Sequence, residues 1–145
     1  MQIFTIGFTQ KSAEQFFGLV SEHKIEILVD IRLNNQSQLA GFTKGRDLSF
    51  FLNKICNCKY DHDIIFAPTK DILTKYKKGE IQWQEYQKEY NKLLSGRKSV
   101  ETFNKKYSNY DKVLLLCSEA TPDYCHRRLL AEKINSDLGY KIKHI

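Results

Sequence analysis

The sequence predicts a single-domain α/β fold, a three-layer α/β/α sandwich around a mostly parallel sheet, over residues 1–145. Three observations support this prediction. Short β-rich runs alternate along the chain with segments in which apolar residues recur at helical spacing. Residues 25–31 form an almost continuous apolar run, which is typical of a strand covered on both faces. The last third reads as strand, tight turn, helix and strand, the unit of a parallel crossover.

In the first half of the chain, the sequence predicts two strands and the helix between them. Residues 3–6 form a short strand that Gly7 ends, and Ser12 begins a helix because Gln15 completes a capping box with it. The run 25–31 is the second strand. The polar stretch 33–45 is long for a connection, and long loops in small domains tend to be functional or mobile.

The second half continues the alternation. Asp47 is the expected cap of a second helix, and residues 59–66 alternate as a further strand that ends before Pro68. A third helix carries an apolar stripe of aromatic and leucine residues: Trp83, Tyr86, Tyr90, Leu93 and Leu94.

The last unit begins with a buried strand over residues 112–117. We expect Thr121 to cap the following helix with Pro122 at its first position, since proline there loses no hydrogen bond. The free N–H groups would then belong to Asp123 and Tyr124. Gly139 ends the helix, and residues 140–145 form the final strand.

Composition excludes some classes of protein. No window approaches the roughly 18 apolar residues of a membrane span, and the amino terminus lacks the features of a secretory leader, so we expect a cytoplasmic protein with no membrane partner. The four cysteines are expected to be free thiols, because their spacing does not match a zinc knuckle. No metal and no cofactor is predicted, and no Gly-rich nucleotide fingerprint is present.

The chain is mildly basic, with a net charge of +6, which is compatible with an acidic ligand or nucleic acid. Lysines and arginines concentrate in residues 70–78 and 97–106, interleaved with aromatics. We favour a solvated face of a poorly structured segment here over a dedicated nucleic-acid surface. The oligomeric state is not indicated by any pattern in the chain.

Charged and polar residues stand where three predicted strands end. In open α/β sheets, ligands bind beyond the carboxyl ends of the strands. Thr9 follows the first strand, Asp30 and Arg32 end the second, and Cys117 and Glu119 end the strand before the last helix. Charged residues at such positions are costly in a buried strand unless they are paired or solvated.

The helix after Cys117 contributes a second cation to this rim. Arg127 belongs to the inward stripe of that helix, so it is expected to reach toward the strand ends and converge with Arg32. Planar guanidinium groups suit phosphate or carboxylate, so Arg32, Arg127 and Thr9 are the candidate anion-binding residues. Asp30, Glu119, Cys117 and His126 are the candidate catalytic groups.

Structural explanations stand beside these roles. Asp30 and Arg127 could form a buried ion pair that locks the last helix to the sheet. Cys117, after three leucines, could be an inert hydrophobic residue, although its place facing a helix start favours a lowered pKa. His126 could equally be a polar surface residue.

Three segments resemble a known family, domain-of-unknown-function 488. They are Thr5–Thr9 (TIGFT) followed by the Ser12 helix, Leu28–Arg32 (LVDIR), and Leu115–Glu119 (LLCSE) leading through Pro122 to CHRRLL at residues 125–130. The resemblance implies a compact α/β fold and a site built from seven residues: Asp30, Arg32, Cys117, Glu119, Cys125, His126 and Arg127. It implies no particular reaction.

The chain departs from the family pattern at two places. Phe8 stands where the family usually has His or Tyr, so catalysis that depends on that group would be impaired. The loop residues 33–38 lack the proline and the further arginine that the family usually carries.

Three functions are compatible with these residues. The first is an anion-binding site for phosphate, a nucleotide or a nucleic-acid end at the strand rim, with or without catalysis. The second is a non-catalytic nucleotide or nucleic-acid binding module. The third is a structural or interaction protein in which the rim charges form an ion-pair lock.

Overall fold

The computed structural model describes residues 1–36 and 40–145 and contains a five-stranded sheet in which every neighbouring pair is parallel. The strand order is β3-β2-β4-β1-β5. The strands are β1 (Gln2–Gly7), β2 (Ile27–Asp30), β3 (Lys59–His62), β4 (Lys112–Cys117) and β5 (Lys141–His144). The helices are α1 (Ala13–Glu22), α2 (Gly45–Cys56), α3 (Lys70–Lys77), α4 (Trp83–Gly96), α5 (Ser99–Tyr107) and α6 (His126–Leu138).

The sheet separates two hydrophobic cores, which confirms the predicted α/β/α sandwich. On one face, Phe4, Leu28 and Leu114 of the strands pack with buried residues of α1 and α2. On the other face, alternate strand residues such as Val29 and Leu115 pack with α4, α5 and α6, and α3 lies at its edge. This alternation follows from the period of two along each strand.

The register aligns the carboxyl ends of the three inner strands. Gly7 of β1 lies opposite Cys117 of β4, and Asp30 of β2 lies opposite Leu116 of β4. On its other side, Asp30 lies opposite His62 of β3. The rim predicted from the sequence is therefore one edge of this sheet.

Local capping rules account for α1 but not for α2. The Ser12 side chain accepts from the Gln15 N–H, and the Gln15 side chain accepts in return from the Ser12 N–H, so the predicted capping box is confirmed. The prediction that Asp47 caps α2 is wrong, because the helix already begins at Gly45 with Lys44 as its N-cap. Asp47 instead lies in the first turn, where a carboxylate interacts favourably with the positive end of the helix dipole.

The predicted strand over residues 59–66 is also too long. β3 ends at His62, and residues Ile64–Phe66 form a short 3-10 helix that Asp63 caps by accepting from the Ile65 N–H. Asp63 thus turns the chain out of the sheet. Ile65 and Phe66 after it pack against the core without belonging to a strand, and Ile64 is exposed.

The lysine-rich segments are helical, so the expectation of a poorly structured region is wrong. α5 buries Val100, Phe103 and Tyr107, and α3 is capped by the Thr69 side chain. The lysines of both helices concentrate in their last turns, where cations interact favourably with the helix dipole: Lys75, Lys77, Lys105 and Lys106. Among the helices that the structure describes, none is long and apolar enough to cross a membrane.

The last helix begins later than predicted. Its N-cap is Cys125, not Thr121, and the Cys125 N–H donates to the carbonyl of Pro122 at 3.3 Å, which closes a turn before the helix. The free N–H groups therefore belong to the residues after Cys125 and not to Asp123 and Tyr124. The C-cap Gly139 is confirmed, with a φ of 73° that favours glycine.

Gly7 permits the close approach of β1 to the loop after β4. A Cβ atom at this position would overlap the carbonyl oxygen of Glu119 and would lie 2.7 Å from a guanidinium nitrogen of Arg127. We expect Gly7→Ala to lower the free energy of unfolding by about 3 kcal/mol or more, because the backbone must shift. Urea unfolding monitored by circular dichroism measures this.

Gly18 is the matched control. It lies within α1, and no atom of the surrounding structure lies within 4 Å of the position that its Cβ would occupy. Gly18→Ala should therefore stabilise the protein by about 0.5–1 kcal/mol. Equal effects of the two substitutions would contradict the close approach at Gly7.

Candidate functional site

The connecting loops diverge around the carboxyl end of β4. The loop after β4 leads to α6 on one face of the sheet, whereas the loops after its neighbours β1 and β2 lead to α1 and α2 on the other. Such a divergence opens a crevice in α/β sheets, and it is the usual place for a ligand. Cys117 is the last residue of β4 and lies at its centre.

Asp30 and Arg32 form the first charged group at this rim. The Asp30 carboxylate accepts two bonds from the Arg32 side chain, from Nε at 2.8 Å and from a terminal nitrogen at 2.7 Å. It also accepts from the Tyr60 hydroxyl at 2.7 Å, and Arg32 donates to the carbonyl of Thr43 at 2.6 Å. We call Asp30, Arg32, Thr43 and Tyr60 the aspartate cluster.

The ion pair of the aspartate cluster is closed to solvent. Asp30 is 0% exposed and Arg32 is 3% exposed, so both charges depend on each other and on neutral partners. The Arg32 guanidinium also lies 5.3 Å from the ring centroid of Phe8, a cation–π contact. Phe8 is therefore part of the packing around this ion pair, on the face of α1 and α2.

The second group lies on the opposite face of the sheet. The thiols of Cys117 and Cys125 and one ring nitrogen of His126 lie within 4.8 Å of one another, and all three residues are buried. The Cys117 Sγ is 3.4 Å from His126 Nδ1, and His126 Nε2 is 2.9 Å from the carbonyl oxygen of Ile31. We call Cys117, Cys125 and His126 the cysteine cluster.

The two thiols of this cluster differ in acidity. Burial alone would raise the pKa of Cys117, but the hydrogen bond from Cys125, backbone N–H groups and the charge of Arg127 together hold that pKa below its ordinary value. Burial and the neighbouring Cys117 raise the pKa of Cys125 well above its ordinary value. Cys117 is therefore the more acidic of the two thiols.

Arg127 lies beside the cysteine cluster and is 1% exposed. Its guanidinium donates to the carbonyl oxygens of Glu119 and Ala120, to the Thr5 hydroxyl at 3.3 Å, and to the Cys125 sulfur at 3.7 Å. None of the carboxylates in residues 1–36 and 40–145 forms an ion pair with it.

The positive charge of Arg127 reaches neighbouring ionisable groups. Partial burial and the charge of Arg127 both lower the pKa of Lys11, which follows β1. The same two causes, burial first, lower the pKa of His144 at the end of β5. His144 contacts Thr5 through a 2.6 Å hydrogen bond, so it shares a neighbour with Arg127.

A groove opens at the loop after β4, where Ala120 lines it and accepts from Arg127. Its volume is about 800 Å³, and it lies between α1 and the loops after β1 and β4. Thr9, Lys11 and Thr121 line its rim, and Glu14 and Glu22 of α1 also line it. The Thr9 hydroxyl donates to the carbonyl of Ser118, which ties the two loops together.

The structure brings the predicted residues to one edge of the sheet but divides them between its two faces. The expected ion pair between Asp30 and Arg127 is not formed, because Asp30 pairs with Arg32. Arg32 and Arg127 do not converge on a common partner in the part of the chain that the structure describes. Glu119 is exposed, and only its carbonyl contacts Arg127.

Sequence reasoning missed several contributors to these groups. Thr5 is a polar residue between Phe4 and Ile6 in a buried strand, and that interruption was a usable signal. Tyr60 and Lys11 gave no such signal, because tyrosine and lysine are ordinary in those positions. The loop 33–38, where the family usually carries a further arginine, extends into residues 37–39. Those residues lie outside the described part of the chain.

The chain belongs to the family described as "Domain of unknown function DUF488", whose model matches residues 12–134. This match covers most of the chain and confirms the resemblance seen in the sequence. No curated protein and no solved structure matches the chain significantly.

Arg32→Met should destabilise the protein strongly. The substitution leaves the Asp30 carboxylate buried with only Tyr60 and backbone donors, and breaking a buried pair in this way costs about 3–5 kcal/mol. Urea unfolding at neutral pH measures the loss. Lys75→Met, which breaks the exposed pair with Asp71 in α3, should cost less than about 0.5 kcal/mol; a similar cost for both would contradict the importance of burial.

His144 should titrate below its ordinary pKa of 6.5 in the folded protein. The unfolded chain then binds a proton more readily, so the contribution of His144 to stability is complete above pH 6.5 and decreases as the pH falls toward the folded pKa. Titration of the His144 ring by NMR measures the folded value. Arg127→Met should raise it, whereas Lys143→Met on the same strand should change it less; the reverse order would contradict the role of Arg127.

Proposed function

We propose that this member of the DUF488 family binds a small anionic ligand of the phosphate class at the crevice beside the end of β4. The observation that carries the proposal is Arg127, a guanidinium 1% exposed whose described partners are all uncharged or thiol groups. A buried cation is costly without an anion nearby. Arg32, by contrast, already has Asp30 as its counter-ion.

The groove at the loop after β4 supplies the space and the direct contacts. Arg127 is covered by the carbonyls of Glu119 and Ala120, and Ala120 itself lines the groove. A ligand there meets the Lys11 ammonium and the Thr121 hydroxyl, while Arg127 acts through its electrostatic field across the loop. Burial first, and then the charge of Arg127, lower the pKa of Lys11, and an anion in the groove would relieve the repulsion between these two cations.

The carboxylates of the groove limit the ligand. Glu14 and Glu22 line it from α1, so a long polyanion along the groove would meet like charges. A ligand with one terminal phosphate fits better, such as inorganic phosphate, a nucleoside monophosphate or the phosphorylated end of a nucleic acid. This favours a nucleic-acid end over binding along a nucleic-acid backbone.

The proposal is tested by calorimetric titration of the purified chain with inorganic phosphate, a nucleoside monophosphate and a 5′-phosphorylated oligonucleotide. Lys11→Gln should weaken binding about 10-fold or more, because it removes a charged hydrogen bond of about 1.5–3 kcal/mol. Lys11 is half-buried in a loop, so the substitution does not disturb the core. Lys92→Gln, an exposed lysine on α4, should leave binding unchanged.

Three outcomes would overturn the proposal. The first is the absence of binding of any of the three ligands to the unaltered chain. The second is equal weakening by Lys11→Gln and Lys92→Gln, which would assign binding to the general lysine surface. The third is a stronger affinity for an oligonucleotide with a 5′-hydroxyl than for its phosphorylated form.

A further inference from the structure

We propose that the cysteine cluster binds one Zn²⁺ ion through the Sγ atoms of Cys117 and Cys125 and Nδ1 of His126. This inference goes beyond the proposed anion site and does not depend on it. It contradicts the expectation from sequence spacing that the chain has no metal site. The eight-residue interval between the two cysteines hides their proximity, which the turn before α6 creates.

The separations of the three ligand atoms are close to those of a tetrahedral site. Zinc bonds of about 2.3 Å to sulfur and 2.0–2.1 Å to nitrogen require ligand atoms about 3.5–3.8 Å apart. The Cys117 sulfur is 3.4 Å from His126 Nδ1, and no pair in the cluster exceeds 4.8 Å. Closing on an ion therefore requires displacements of about 1 Å or less, which side-chain rotation can supply.

The orientation of His126 is already that of a metal ligand. The carbonyl oxygen of Ile31 can only accept, so Nε2 of His126, 2.9 Å away, must carry the ring proton. The lone pair of Nδ1 consequently faces the Cys117 sulfur. A histidine that ligates zinc typically donates its other N–H to a carbonyl or carboxylate, which fixes its tautomer and ring plane.

The surroundings of the cluster hold its ligands in place. Arg127 donates to the Cys125 sulfur at 3.7 Å, an outer contact of the kind that orients a metal ligand. Two thiolates neutralise the charge of the ion, and one imidazole completes a mixed sulfur and nitrogen set that suits zinc. Three protein ligands leave the fourth position for water or a ligand atom.

Cys58 is also buried, so the histidine partner and not burial alone distinguishes this cluster from the other cysteines. Cys117, Cys125 and His126 are 5%, 2% and 6% exposed, and the ring of Tyr90 packs edge-on against His126 with centroids 5.5 Å apart. Cys56 and Cys58 lie against the core of the opposite face. They provide an internal control, since they are thiols of the same chain without a histidine partner among the described residues.

Titration of the reduced, metal-stripped full chain with Co²⁺ tests the proposal. One equivalent should bind, with thiolate-to-cobalt charge-transfer absorption and the intense d–d bands of a tetrahedral site, and Zn²⁺ should displace it. Cys117→Ser, Cys125→Ser and His126→Gln should each weaken binding about 100-fold or more, because even outer partners of a metal site are worth 10–100-fold. Cys56→Ser should leave the spectrum and the affinity unchanged.

X-ray absorption of the zinc-loaded unaltered chain gives a measurement that does not depend on the folding of any variant. It should show two sulfur ligands and at least one nitrogen. A shell of oxygen and nitrogen alone, no stoichiometric cobalt binding, or charge-transfer bands that persist in Cys117→Ser and Cys125→Ser would each overturn the proposal. Lys11→Gln should bind cobalt normally, so failure of the anion site and failure of the metal site are distinguishable.

Discussion

The buried guanidinium of Arg127 connects more of this structure than any other side chain at the rim. It bonds to Thr5 of β1, to the carbonyls of Glu119 and Ala120 after β4, and to the sulfur of Cys125 at the start of α6. These contacts stabilise the turn before α6, so the helix begins at His126. They also hold Cys125 near the end of β4. Gly7 is required by the same arrangement, because the Glu119 carbonyl and Arg127 occupy the space that a side chain would need. Desolvating this cation is costly, and the surrounding acceptors offset the cost only in part.

The two arginines of the rim illustrate how similar residues take different roles. Arg32 is held by a carboxylate two residues away in sequence, in a geometry with two parallel hydrogen bonds, and its remaining donors reach Thr43. That arrangement is typical of a structural lock between β2 and the segment before α2. Arg127 has only uncharged and thiol partners and influences the pKa values of Lys11, Cys117 and His144. The structural explanation therefore accounts well for Arg32, and a ligand-directed explanation accounts better for Arg127.

The fold could be predicted from sequence because it depends on patterns of short range. The local signals are the periodic spacing of apolar residues, the Ser12 capping box and the helix end at Gly139. Each of them is confirmed. The start of α6 could not be predicted in this way, because Thr121 and Pro122 form a good helix start by local rules and the contacts of Arg127 decide otherwise. The pairing of Asp30 with Arg32, and not with Arg127, depends on which face of the sheet each side chain occupies. Alternation along β2 and β4 would have indicated that Asp30 and Cys117 lie on opposite faces, since their neighbours Val29 and Leu116 belong to opposite cores.

The charges at the end of β4 relate the two proposals to each other. Among the thiols, Cys117 is the one whose pKa the positive charge of Arg127 helps to lower. A zinc ion bound by two thiolates and an imidazole has no net charge with its ligands, so the metal-bound sulfurs would not supply a counter-ion for Arg127. An anionic ligand in the groove would supply it. Metal and anion should therefore bind with positive coupling, since each relieves a charge imbalance that the other leaves.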